Sequence, residues 1–178
     1  MSAHEAGHAT LGITLGAKIE AVYARINHRL PDGNFRPLYM TRFGALGRAG
    51  LGLKDRVLLI AGGAAGEVLL MGEWDREEVR IDRSDLEKLG FMNFEYCVEQ
   101  AIGLLRQNNP LLVAVREKIR ESMLNLRQCK LAKNKTHIVL ARGHEIDKLF
   151  WKLGHRADSS DLDLDVAKLQ AGTGNHAS

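Results

Sequence analysis

The chain has 178 residues, of which 45% are hydrophobic and 26% charged, with a formal net charge of +3. That balance fits one globular domain that can bury its own core, and it excludes a chain that depends on disulfides or other staples. The longest apolar run lies near Val57 to Ala65 and falls well short of the roughly 18 residues that cross a bilayer, so no membrane span is expected.

The two cysteines, Cys97 and Cys129, have no CxxC spacing and read as small buried apolar residues. With the first motif at residue 4 no leader is expected before it, and the expectation is a cytoplasmic protein with reduced thiols. Charge is uneven: residues 61–100 carry ten acidic and four basic side chains, and residues 101–156 carry twelve basic and four acidic. The basic stretch, with Arg116, Arg120 and Arg127, lacks the aromatic interleaving of a nucleic-acid surface and reads as a solvated helix face.

In chain order, residues 2–16 read as a helix capped by Ser2 and ended by Gly16. Ile19 to Ile26 is rich in branched and aromatic residues and reads as a strand. Pro31-Asp32-Gly33-Asn34 is a turn signal, and a short return strand at about Pro37 to Arg42 completes a hairpin. Residues 44–52 carry four glycines but fit neither a P-loop nor a dinucleotide loop; they read as a mobile loop or a plain connector.

Residues 53–72 read as a helix that is apolar nearly all round, hence buried, with Gly62, Gly63 and Gly66 allowing a close neighbour. An acidic connector, Glu73 to Arg80, leads to Ser84 and Glu87, a capping-box pattern that predicts a helix from Ser84 to about Gln107. Asn109-Pro110 starts another helix, with Leu111, Val115, Ile119, Leu124 and Leu126 on its apolar side. A last helix fits Gly143 to Leu153. Residues 1–156 read as one domain and residues 157–178 as a disordered tail. The predicted class is therefore mainly α, a helical bundle with one small β-hairpin.

The chemistry is concentrated in His4-Glu5-Ala6-Gly7-His8. Residues four apart share a helix face, so two imidazoles at this spacing can point at one ion, and neutral imidazole nitrogen suits zinc. Glu5, beside the first ligand, can reach a metal-activated water as general base. Ser2 and Glu5 also match a capping box, which gives Glu5 a purely local alternative. A hydrolytic zinc site needs a third protein ligand. The HExxHxxGxxH pattern is excluded because residue 14 is Thr, so the ligand must be a downstream acid, and the 73–87 region offers several.

Three patches resemble the peptidase domain of the FtsH-type, membrane-anchored ATP-dependent proteases. The stretch Ala3 to Ala9 is similar to that family's HEAGH helix. Ala61-Gly62-Gly63-Ala64-Ala65-Gly66-Glu67, with Gly72 closing the helix, looks like its GGRAAE segment. Ser84-Asp85-Leu86-Glu87-Lys88 looks like its N-D-L-x-x-A segment, and Gly143 to Leu149 is a weaker echo of a G-E-E-I-x-x-L stretch.

The resemblance implies a zincin-like zinc metalloendopeptidase acting on unfolded polypeptide. His4, His8 and Asp85 would hold Zn2+, and Glu5 would be the general base. It departs from the family in having Gly66 for an alanine, Val68 for a second glutamate, and a Gly72-to-Asp85 spacing about four residues long, which leaves Asp82 as a rival ligand. Asp75 and Glu78 read as connector charges, and Glu67 as either a partner to a ligand histidine or a structural acid. The family works as a hexamer with an ATPase. Here the expectation is a homo-oligomer, with any unfolding left to a separate ATPase. The rival expectation is a zinc-binding regulatory or adaptor protein that does not cleave.

Overall fold

A computed structural model describes residues 2–29, 35–43, 50–128 and 137–154. It is mainly helical with a small antiparallel sheet, as expected, but the sheet has three strands rather than two. Helix α1 (Ser2–Thr14) is followed by strands β1 (Ile19–Arg29) and β2 (Phe35–Phe43), then by α2 (Leu53–Met71), α3 (Arg80–Lys88), α4 (Phe94–Gln107), α5 (Asn109–Gln128), β3 (His137–Arg142) and α6 (Gly143–Leu153).

Helix ends follow the local chemistry. At the end of α1, Gly16 takes φ +87° and its N–H bonds to the Ile13 carbonyl, while the Ala17 N–H bonds to that of Gly12. This paired closure needs the left-handed conformation that glycine adopts without penalty. The same closure ends α3: Gly90 has φ +85° and donates to the Glu87 carbonyl, and the Phe91 N–H donates to that of Leu86. The single helix expected from Ser84 to Gln107 is therefore two. Ser84 lies inside α3, not at its start, and Asn93 caps α4 by accepting from the Tyr96 N–H at 3.1 Å.

Strand β1 lies between β2 and β3, both antiparallel to it. Val22 faces Thr41 on one side and Ala141 on the other. The third strand escaped the sequence reading because six residues, His137 to Arg142, carry too short a pattern to stand out before the strong signal of α6.

The core is one continuous cluster. Leu58, Ala61, Ala64 and Ala65 of α2 meet Ala6, Ala9 and Leu11 of α1, and Leu105, Leu111, Leu112, Val115 and Ile119 close it from the side of α4 and α5. Each of the seven larger residues is fully buried, worth about 1.5–3 kcal/mol apiece relative to exposure. Leu124, expected on the same apolar face, is instead 51% exposed near the end of α5. The turn at residues 31–34, most of the glycine-rich loop and the tail from residue 157 lie outside the described residues. Among the described residues, no helix is long and apolar enough to cross a membrane.

Candidate metal centre

The helices α1 and α2 touch backbone to backbone. A Cβ on Gly7 would overlap the carbonyl oxygen of Gly62, and one on Gly66 would stand 2.5 Å from the Ala3 oxygen. Gly66, where the resembled family has alanine, is thus demanded by the packing of this chain. One turn away, a Cβ on Gly63 would sit 2.5 Å from His4 Nε2 and 2.6 Å from His8 Nε2. The imidazoles occupy the space that this missing side chain leaves.

Three atoms converge there. His4 Nε2 and His8 Nε2 are 3.1 Å apart, and Asp82 Oδ2 of α3 is 3.3 Å from each of them. An ion bound at about 2.0–2.1 Å in tetrahedral directions needs ligand atoms about 3.3 Å from one another, so the triangle has the size of a zinc site. Asp82 Oδ2 is buried and makes no hydrogen bond of good geometry.

The far sides of the rings set their proton positions. His8 Nδ1 is 2.8 Å from the Leu59 carbonyl oxygen, which can only accept. His4 Nδ1 lies 3.3 Å from Glu67 Oε1, a bent ion-pair contact rather than a straight hydrogen bond. Both outer nitrogens therefore carry hydrogen in the neutral rings, and both Nε2 atoms present lone pairs. Two lone pairs and a carboxylate oxygen face one another, an arrangement that calls for a cation at their centre.

The electrostatics agree. Burial pushes the His4 imidazole down, but Asp82 and Glu67, helped by Glu5, outweigh it and raise the group to about 10. Burial likewise opposes protonation of His8; Asp82 overcomes it, against the repulsion of His4. Burial pushes the Asp82 carboxyl up, and the two histidines more than reverse this, holding it well below the usual carboxylate range. The same acidic groups that would face a cation therefore favour the protonated form of both imidazoles.

Glu67 is fully buried on α2. Its Oε2 accepts from the Asp75 N–H at 2.7 Å, which pins the connector beside the site. Glu78 comes within 4.8 Å of His4 and Glu67 and forms a second acidic grouping behind the first. Glu5, only 5% exposed, accepts from the hydroxyl of Thr41 on β2 at 2.6 Å.

The structure thus brings together His4, Glu5, His8 and Glu67, but not Asp85. Asp85 is half-buried, turned away from the histidines and paired with Lys88 at 2.8 Å. Asp82 takes the place assigned to it, and the spacing from Gly72 held the signal: 85 − 72 is 13 residues, whereas 82 − 72 is 10. Thr41 and the Leu59 carbonyl had no sequence signature. Elsewhere, the basic stretch is broken by ion pairs, Lys118 with Glu145 at 2.9 Å and Arg120 with Glu117 at 3.6 Å. Arg127 has no described side chain. Cys97 is buried, and burial pushes its thiol up to about 11. The chain matches no protein-family model and no curated protein.

Proposed function

We propose that this chain is a zinc-dependent peptidase of the FtsH-like kind, with His4, His8 and Asp82 as the metal-holding residues and Glu5 as the general base. The observation that carries this reading is the triangle of three lone-pair atoms, 3.1–3.3 Å on a side, with His8 held at its outer nitrogen by the Leu59 carbonyl and the outer nitrogen of His4 facing Glu67. Zinc held there would supply a Lewis acid able to polarise a carbonyl and acidify a water.

Glu5 does the proton work. Its carboxylate accepts a proton from the water that attacks the amide carbon and hands it to the departing nitrogen. Strand β2 borders the described sheet and reaches Glu5 through Thr41. An unfolded polypeptide laid as an added strand along β2 would receive backbone hydrogen bonds and bring its amides to the site.

The test is cleavage of casein by the wild type and by Glu5→Gln at matched zinc content. The expected loss is about 10²–10⁴-fold, the usual contribution of a positioned general base. If both hold one zinc and neither cuts, the peptidase reading fails, and a zinc-binding regulatory protein takes its place.

A further inference from the structure

We propose that Thr41 is a positioning residue for Glu5, fixing carboxylate Oε2 so that Oε1 is the oxygen that takes the proton. This rests on the peptidase reading above. The Thr41 hydroxyl has one proton and two acceptors in reach, Glu5 Oε2 at 2.6 Å and the Glu5 carbonyl oxygen at 3.3 Å. The shorter contact takes it, because charge-assisted bonds to carboxylates are the short, strong ones. Oε1 makes no hydrogen bond to any described residue and is left to accept.

The strand holds the hydroxyl in place. Side chains two apart on a strand share a face, so Tyr39, Thr41 and Phe43 point the same way, and both rings pack against the core. Phe43 reaches α1 two turns beyond Glu5, where a Cβ on Gly12 would stand 3.1 Å from its Cζ. Strand β2 is thereby docked on α1 at two points, one of them the base. Across the strand pair, Thr41 faces Val22, fully buried in the middle strand. The strand that would bind the polypeptide also aims the base, so the reacting amide and the carboxylate share one frame.

The test uses the full zinc-loaded chain with Thr41→Val, which keeps the shape and removes the hydroxyl, and Thr41→Ser, which keeps the hydroxyl. Zinc content, kcat and KM on a casein-derived peptide are measured. The Glu5 carboxylate infrared band is isolated by difference against Glu5→Gln. Loss of one hydrogen bond to a charged group predicts a fall in kcat of roughly 10- to 100-fold for Thr41→Val. KM should stay within about twofold, since the bond matters after binding. Zinc content should hold, the carboxylate band should shift, and Thr41→Ser should recover most of kcat. Equal loss in both variants, or a Thr41→Val enzyme with wild-type kcat and an unmoved band, would overturn the proposal. An inactive wild type would count against the peptidase reading alone, and the position of the band would still decide whether Thr41 holds Glu5.

Discussion

The two histidines and the aspartate of the candidate site are held by regions built on different principles. The histidines stand on α1, whose backbone lies directly on that of α2 through Gly7, Gly62 and Gly66. Their position is set by main-chain contact, which has little room to adjust. Asp82 stands on α3, nine residues long, whose fully buried side chain is Leu86. The rest of its anchorage is at the surface: Arg83 pairs with Glu95 at 2.8 Å and lies 4.8 Å over the Phe94 ring. Two corners of the triangle are thus rigid by construction, and the third is delivered by a helix with one deep foothold.

Gly7→Ala should break the first region outright. Its Cβ meets backbone rather than a side chain that can turn away, so the expected loss is about 4 kcal/mol or more in urea unfolding. A wild-type unfolding midpoint would show that the helices have slack, and the contrast between the regions would disappear. Leu86→Ala attacks the second region. It should cost about 2–5 kcal/mol and also weaken zinc binding, whereas Leu105→Ala, equally buried on α4, should cost similar stability and leave zinc affinity near wild type. Equal effects of the two on zinc would mean that α3 is not the adjustable corner.

Asp82→Asn and Asp85→Asn separate the two candidate ligands. By calorimetry, Asp82→Asn should lower zinc affinity by at least about 100-fold, beyond the usual effect of losing a residue that merely supports a ligand. Asp85→Asn should leave it unchanged, because Asp85 only pairs with Lys88 at the surface. The opposite pattern would restore Asp85 as the ligand and displace α3 from the arrangement described here.

The mildest perturbation is pH. In the metal-free protein, His4 is raised to about 10 by Asp82 and Glu67 against burial. The stability that its charge contributes is complete below its ordinary value of about 6.5 and is lost as pH rises through about 10. Zinc must displace that proton, so apparent zinc affinity should climb with pH over the same window, by about tenfold per unit while one proton is released. A flat affinity from pH 7 to 9 would mean that the site is not protonated when empty.

Much of this was legible in the residues themselves. The HExxH spacing, the glycines of α2 and the closing glycines Gly16 and Gly72 are local patterns with local causes, and they put both histidines and Glu5 on one helix and marked the buried helix in advance. What stayed hidden depends on how distant segments meet. Ser84 to Lys88 matched a short pattern better than Asp82 did, yet it is the rotation and docking of α3, set by Leu86 and by the closure at Gly90, that decides which aspartate faces the histidines. Thr41 reaches Glu5 across 36 positions of sequence, a pairing that no periodicity encodes.

The middle position of β1 has a consequence for how the molecule comes into being. Ala21 pairs with Arg142, so 142 − 21, or 121 residues, separate two neighbours in the sheet. The start of α6 is pressed onto the same strand, close enough that a side chain on Gly143 would strike the Ile19 carbonyl. The sheet therefore cannot be completed until β3 meets β1, however early β1 and β2 pair as neighbours in sequence. Contacts closed over so long a span form slowly. The slow step is thus the one that closes the sheet on the side of β1 away from Thr41, whereas the contact of Thr41 with Glu5 spans only 36 positions.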